Sequence, residues 1–128
     1  MAVTKAVENY LEAILVLSNQ QPDVHAVDVC NFLGYSRPTL SVAIKQMREK
    51  GLIIVNGENH ITLTDEGRRV AERIYERHVI VSEMLVDLGV SEDVAHEDAC
   101  KIEHDISDES FSCIKRHYQQ YKNKRIER

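Results

Sequence analysis

The chain has 128 residues, of which 43% are hydrophobic and 29% charged, with a formal net charge of −5. This balance is typical of a globular domain with enough apolar material for a core, which excludes a disordered chain. No apolar run approaches the roughly 20 residues of a membrane span, and Glu8 and Glu12 interrupt the stretch where a signal peptide would be apolar. We therefore expect a cytoplasmic protein with no membrane partner. The three widely spaced cysteines fit a reducing compartment.

The charge is unevenly distributed along the chain. Residues 1–78 have a net charge of −1, residues 79–117 a net charge of −7, and residues 118–128 a net charge of +3. Nearly all the excess acid therefore lies in one middle segment. An almost neutral first half and an acidic second half indicate two tasks, the second suited to binding cations.

The first fifty residues carry the pattern of three helices. Apolar residues at helical spacing predict the first helix over residues 4–19: Val7, Tyr10, Leu11, Ile14 and Leu15. A short second helix, about 26–33, should end at Gly34. Ser36 is a good N-cap for the third helix, which has Pro38 in its first turn. Its predicted buried face consists of Leu40, Ile44 and Met47, and it should stop at Gly51.

A hairpin and three more helices follow. The β-rich runs LIIV (52–55) and HITL (60–63) flank an Asn-Gly turn and predict a β-hairpin, on whose second strand His60 should be a surface residue. Thr64 should cap a long helix that runs to about Leu88, and Ser91 and Ser107 should cap the last two helices. The fold class is therefore mainly α: an N-terminal winged helix-turn-helix domain over residues 1–72, followed by an all-helical domain over 73–128.

The third helix is the candidate DNA-binding element. In a winged helix-turn-helix it enters the major groove with its N-terminal residues at the base edges, while the wing lies along the backbone. Residues 36–51 have a net charge of +3, which is a modest footprint for phosphate. A basic helix face can also be a merely solvated surface, but the order of elements favours DNA. The candidate residues are Ser36, Arg37, Pro38, Thr39, Ser41, Lys45 and Arg48.

The segment HEDACKIEH (96–104) is the candidate metal site. On a continuous helix its four potential ligands would lie within an arc of roughly 100°: His96, Cys100, Glu103 and His104. A mixed set of nitrogen, sulfur and oxygen donors suits a divalent transition metal rather than calcium or magnesium. Taken singly, a cysteine is often a small core residue and a histidine merely hydrogen-bonded. His78 is the first candidate for a further ligand, and the first helix offers Glu8, Asn9 and Glu12.

These motifs together resemble the iron- and manganese-dependent transcriptional repressor family, which includes the diphtheria toxin repressor and the manganese transport regulator. The matching stretches are ENYLEAI, SRPTLS, MREKGLI, ITLTDEGRRVAERIYERH and, most specifically, EDACKIEHDISDE. The resemblance implies a winged-helix domain followed by a helical domain for dimerisation and metal binding. It also implies the short architecture, without the small third β-barrel domain that some members carry.

The resemblance assigns roles to individual residues. Asn9, Cys100, Glu103 and His104 match the principal activating site. His78 matches a ligand used throughout the family, His96 an ancillary ligand of the iron branch, and Glu12 a ligand of the manganese branch. The sequence departs from the family at Asn9, where a Met or Asp is usual, and at Ser82, where the iron branch has a Glu.

The resulting hypothesis is a homodimeric repressor that binds double-stranded operator DNA when Fe(II) or Mn(II) is bound, with iron favoured over manganese. Ile102, Ile106, Phe111 and Ile114 are available for the dimer surface. One alternative is a metal-dependent hydrolase that uses the same ligands to activate water, although no separate base or phosphate-binding loop is evident. Another is a winged-helix regulator that responds to a partner protein or, through Cys100, to a redox signal.

Overall fold

The computed structural model describes residues 3–127, with side chains described for residues 3–124. The predicted order of helices and hairpin is confirmed: α1 (Lys5–Gln20), α2 (Ala26–Leu33), α3 (Arg37–Glu49), β1 (Ile53–Val55), β2 (Ile61–Leu63), α4 (Asp65–Asp87), α5 (Glu92–Ile102) and α6 (Asp108–Glu127). The chain forms two compact units that divide between Arg73 and Ile74. Residues 1, 2 and 128, at the ends of the two predicted domains, lie outside the described residues.

The first unit packs three helices and the hairpin around one apolar core. Helix α1 contributes more residues to this core than any other element, because its apolar residues recur on one face, and Leu11 and Ile14 are fully buried. Helix α3 adds Leu40, Ala43 and Met47. The predicted buried face included Ile44, which packs against this core but is only half-buried, and it did not include Ala43, which is buried.

The hairpin, or wing, pairs Ile53 with Leu63 and Val55 with Ile61 in antiparallel register. Its loop runs from Asn56 to His60, so His60 precedes the second strand rather than lying on it as predicted. The Asn56 side chain organises this loop by accepting hydrogen bonds from the backbone N–H groups of Glu58 and His60, both at 2.9 Å. These bonds satisfy groups that a strand ladder would otherwise have to pair.

The wing is fixed at its root against the start of α4. Thr64 caps this helix as predicted, since its Oγ1 accepts a 3.1 Å hydrogen bond from the Gly67 N–H. The same hydroxyl donates a 2.6 Å hydrogen bond to the carbonyl of Gly51. At Gly67 the backbone passes so close to Leu52 that a Cβ atom would lie 1.9 Å from the Leu52 carbonyl oxygen. Only glycine permits this approach.

Three predictions about the second unit are wrong. Helix α5 ends at Ile102, so Glu103 and His104 follow the helix instead of lying on it. Ser91 occupies the N-cap position of α5, but its side chain makes no capping hydrogen bond. Phe111, expected on the dimer surface, is 6% exposed, because it packs beneath the guanidinium group of Arg77. No helix in the described part of the chain has both the length and the hydrophobicity needed to cross a membrane.

Candidate functional site

The exposed face of α3 carries the predicted DNA-binding residues. Ser36 precedes the helix with extended backbone, and its Oγ lies 3.4 Å from the Thr39 N–H and 2.8 Å from Thr39 Oγ1. Pro38 fits the first turn because no intrahelical partner is needed for its missing N–H. The structure exposes all seven predicted residues: Ser36, Arg37, Pro38, Thr39, Ser41, Lys45 and Arg48.

The middle of this face forms a shallow open groove. Its lining combines two cations, Lys45 and Arg48, with Ser41, Ile44 and one acid, Glu49. A cationic surface with small hydroxyl groups at the helix N-terminus is suited to phosphates and base edges. The arrangement is therefore compatible with entry into a major groove.

The wing lacks the positive charge that a contact with phosphate needs. Residues 53–63 contain one acid, Glu58, and no lysine or arginine. His60 at the base of the loop lies 3.5 Å from Asp23 and 3.8 Å from Glu58, and its ring packs against that of His25 with the centroids 4.5 Å apart. The lysine and arginine side chains of this unit therefore lie on its helices and at Lys50, in the turn between α3 and the wing.

The second unit brings three predicted metal ligands together. One ligand atom each from His78, Cys100 and Glu103 lies within 4.8 Å of the other two. His78 Nδ1 is 2.8 Å from Glu103 Oε2 and 3.8 Å from Cys100 Sγ. His96 lies on the other side of the same imidazole, with its Nδ1 3.0 Å from His78 Nε2. Helix α4 thus supplies the central histidine, and α5 with its following turn supplies the groups around it.

This environment determines the charge on His78. Hydrogen bonds to Cys100 and Glu103 raise the pKa of His78 to about 10, although burial opposes the shift. With both ring nitrogens protonated, His78 donates one hydrogen bond to the Glu103 carboxylate and another to His96. A metal ion bound at Nδ1 would have to displace the proton held there.

The chemistry of the donors fits a divalent transition metal. Glu103 is fully buried, and among the described residues no hydrogen bond reaches its Oε1, although His104 Nε2 lies 3.4 Å away. A buried carboxylate oxygen without a hydrogen bond is costly in an apolar interior. An imidazole, a thiol and such a carboxylate together favour a borderline-soft cation over calcium or magnesium. These residues therefore fit the ion that the sequence predicts.

Arg77 holds the turn that carries Glu103. It is 4% exposed, and its Nη1 donates to the backbone carbonyls of Glu103 at 3.3 Å and Ile106 at 2.5 Å. Its Nη2 forms an ion pair with Asp108 at the start of α6. The guanidinium group thus supplies donors to two carbonyls of the connection between α5 and α6. The sequence analysis missed Arg77, because its partners lie 26 to 31 residues away and leave no local pattern.

Two predicted ligands belong to the first unit. Asn9 and Glu12 lie half-buried on α1, and Asn9 Nδ2 donates a 3.5 Å hydrogen bond to Tyr35 Oη. The cluster described above is built from the second unit alone. The assignment of Asn9 and Glu12 as ligands therefore stays a prediction.

An exposed apolar residue on α3 was also not among the predicted residues. Val42 is 60% exposed beside the predicted DNA-binding residues. A helical projection could have found it, since Val42 lies about half a turn from the buried Leu40 and Met47.

Two family models together match nearly the whole chain. Residues 2–61 match the N-terminal DNA-binding domain of iron-dependent repressors. Residues 64–124 match the metal-binding and dimerisation domain of the same repressors. The two matched segments correspond to the part of the chain that carries α3 and the part that carries His78, Cys100 and Glu103.

The chain is similar to regulators whose names include iron in one case and manganese in another. The transcriptional regulator MntR of Escherichia coli is 34% identical over 109 residues, covering 85% of this chain and 70% of the relative. The iron-dependent repressor IdeR of Mycobacterium bovis is 31% identical over 103 residues, covering 80% of this chain and 45% of IdeR. A solved manganese-dependent transcriptional repressor in complex with manganese has a TM-score of 0.80 and 31% identity, over 88% of this chain. The present chain spans about half the length of that structure, 52%.

Proposed function

Since the chain belongs to the iron-dependent repressor family, we propose that it is a cytoplasmic transcriptional repressor that binds double-stranded operator DNA as a metal-loaded homodimer and controls metal homeostasis. Members of this family are DNA-binding regulators and not enzymes, so the hydrolase alternative is set aside. The observation that carries the proposal is the grouping of His78, Cys100 and Glu103 around one point in the second unit.

The proposed metal centre uses His78, Cys100, Glu103 and His104, with His96 as an ancillary ligand. The addition of Asn9 and Glu12 rests on the family resemblance alone. A bound divalent cation supplies positive charge to a segment whose net charge is −7 over residues 79–117. The protein's own part is to keep Glu103 buried and facing His78, which the hydrogen bonds from Arg77 to the following turn support.

The proposed homodimer is supported by apolar side chains that the second unit leaves at its surface. Leu88 is 75% exposed, and Val94 and Ile102 are also exposed. Such side chains gain stability when they are buried against a second copy. In a dimer, the two α3 helices would need a spacing of about 34–36 Å to enter successive major grooves.

We propose that Fe(II) activates at a lower free concentration than Mn(II). The Cys100 thiolate is a soft ligand, and Asn9 offers a neutral amide where a carboxylate would suit manganese better. Asn9→Asp combined with Cys100→Glu should therefore shift the preference toward Mn(II). Activation of the wild-type protein by Mn(II) at an equal or lower concentration would refute this preference.

The test is DNA binding by the full chain with each metal in turn, under anaerobic conditions. A randomised duplex library would be selected with Fe(II), Mn(II), Co(II) or Zn(II), and the enriched duplex used in retardation assays. Glu103→Gln and His104→Ala should abolish metal-dependent binding while the dimer stays folded. Glu97→Gln, an exposed change on α5, the helix that precedes these two residues, should behave as wild type.

The outcomes separate the proposal from its remaining alternative. Binding that ignores metal but responds to thiol oxidation, and loses that response in Cys100→Ser, would favour the redox regulator. Metal-dependent binding that survives in both Glu103→Gln and His104→Ala would show that the activating site lies elsewhere.

A further inference from the structure

An exposed valine lies on α3, among the residues that we propose to contact DNA. At 60% exposure, Val42 is the most exposed large hydrophobic side chain among the described residues of the first unit. The buried residues of α3, Leu40, Ala43 and Met47, lie on the other side of the helix. Val42 therefore contributes little to the core.

The surroundings of Val42 are polar and cationic. On a helix, residues three and four positions apart are neighbours, which places Val42 one turn after Pro38 and one turn before Lys45. Ser41 precedes it directly, and all three of these neighbours are exposed. Val42 thus adjoins one other exposed apolar side chain, that of Pro38, and is otherwise bordered by a hydroxyl group and a cation.

A single exposed valine is ordinary on a protein surface, so exposure alone indicates nothing. Its position in the N-terminal half of a helix that enters the major groove is what gives it meaning, because those residues meet base edges. The major groove presents one apolar feature for such a side chain, the C5-methyl group of thymine. A protein partner is a poorer match, since one valine among polar groups cannot form the apolar centre of an interface.

We propose that Val42 is a specificity-determining residue that contacts the C5-methyl group of a thymine in the operator. This inference rests on the proposed function. It adds a preference for a thymine methyl group, which the hydrogen-bonding residues of α3 do not provide. The operator should contain a thymine at which the protein senses the methyl group itself, beyond any hydrogen bond to the base.

The test replaces thymine by deoxyuracil, which removes the methyl group and leaves the hydrogen-bonding groups in place. The duplex enriched from the randomised library would be resynthesised with deoxyuracil at each thymine in turn. Affinities would be measured for wild type, Val42→Ala and Val27→Ala, all loaded with the same metal. Val27 is the matched control, because it is an exposed valine on α2 of the same unit.

Loss of one buried methyl contact should weaken wild-type binding about fourfold at one or two thymines. Val42→Ala should lose this sensitivity to deoxyuracil, and Val27→Ala should retain it. Equal sensitivity in Val42→Ala and wild type, or no sensitivity at any thymine, would overturn the inference while leaving the repressor function intact. Selection that enriches no duplex with any metal would instead refute the proposed function, and the inference with it.

Discussion

Replacement of Arg77 by methionine should destabilise the metal-free protein far more than the loss of a surface arginine. The Arg77 guanidinium donates to two backbone carbonyls, those of Glu103 and Ile106, and packs over the Phe111 ring with its Cζ 5.3 Å from the ring centroid. Methionine keeps an apolar stem of similar length, but it cannot donate hydrogen bonds. Both carbonyls then lose a donor.

The size of this effect follows from what the substitution leaves behind. A buried acceptor without a partner costs about 1–3 kcal/mol. The hydrogen bond to the Glu103 carbonyl is buried and the one to the Ile106 carbonyl is partly buried, so the second loss is the smaller. Asp108, the third partner, has a side chain that is 74% exposed, so water can replace the lost ion pair and this part of the cost is small. Relief of the burial of a charged group offsets part of the loss. We expect Arg77→Met to lower the free energy of unfolding by about 3 kcal/mol, a shift in Tm on the order of 10 °C.

The assay is urea and thermal unfolding of the metal-free protein at one fixed protomer concentration, because a dimer's stability depends on concentration. Arg68→Met is the matched control on the same helix. Arg68 pairs with Glu72 at 3.6 Å, and both side chains are about half exposed, so its loss should cost less than about 1 kcal/mol. Equal unfolding midpoints for the two variants would refute the role assigned to Arg77.

Three further predictions use other parts of the molecule. Gly67→Ala would place a Cβ atom 1.9 Å from the Leu52 carbonyl oxygen and should lower the free energy of unfolding by about 1–3 kcal/mol. Gly57→Ala is the control, because a Cβ atom there meets open space. Equal urea midpoints for the two variants would contradict the close packing at Gly67. The pKa of His78 is raised from 6.5 to about 10, so in the metal-free protein its contribution to stability is complete below about pH 6.5 and is lost as the pH rises through about 10. Unfolding measured across this range should therefore depend less on pH in His78→Gln, and parallel curves for the two proteins would count against the shift. Lys45→Ala should lower the slope of log DNA affinity against log salt concentration by about 1. Thr39→Ala should weaken the free energy of DNA binding by about 1–3 kcal/mol at an unchanged slope. The reverse pattern would exchange the roles of the two residues.

Local interactions explain why most element boundaries could be predicted. Caps and turns act within four residues, so the Ser36 and Thr64 caps and the αL residue Gly34 could be recognised in the sequence. The end of α5 could not, because the helical pattern of ligands continues through His104. The turn that follows the helix is held by Arg77, whose partners are far away in sequence.

The difference between local and long-range interactions also explains what could be predicted of the candidate sites. The sequence predicted the residue types of the candidate metal site, and the structure brings His78, Cys100 and Glu103 together, with different partners on the two ring nitrogens of His78. Periodicity named the apolar residues of the last two helices but could not separate buried from exposed members. Phe111 is covered by an arginine that the pattern does not link to it.

A wing without lysine or arginine affects how strongly a DNA-binding protein holds sequences that it does not recognise. Binding to DNA of arbitrary sequence depends on cations that displace counterions from phosphates, so each missing contact weakens it and reduces its dependence on salt. A genome offers about 10⁶–10⁹ such competing sites, which retain proteins with strongly cationic arms for much of their lifetime. A protein with such a wing would have a larger fraction free in solution and a smaller fraction bound to DNA of arbitrary sequence. For the repressor that we propose, changes in the amount of the active form would therefore alter operator occupancy with little delay.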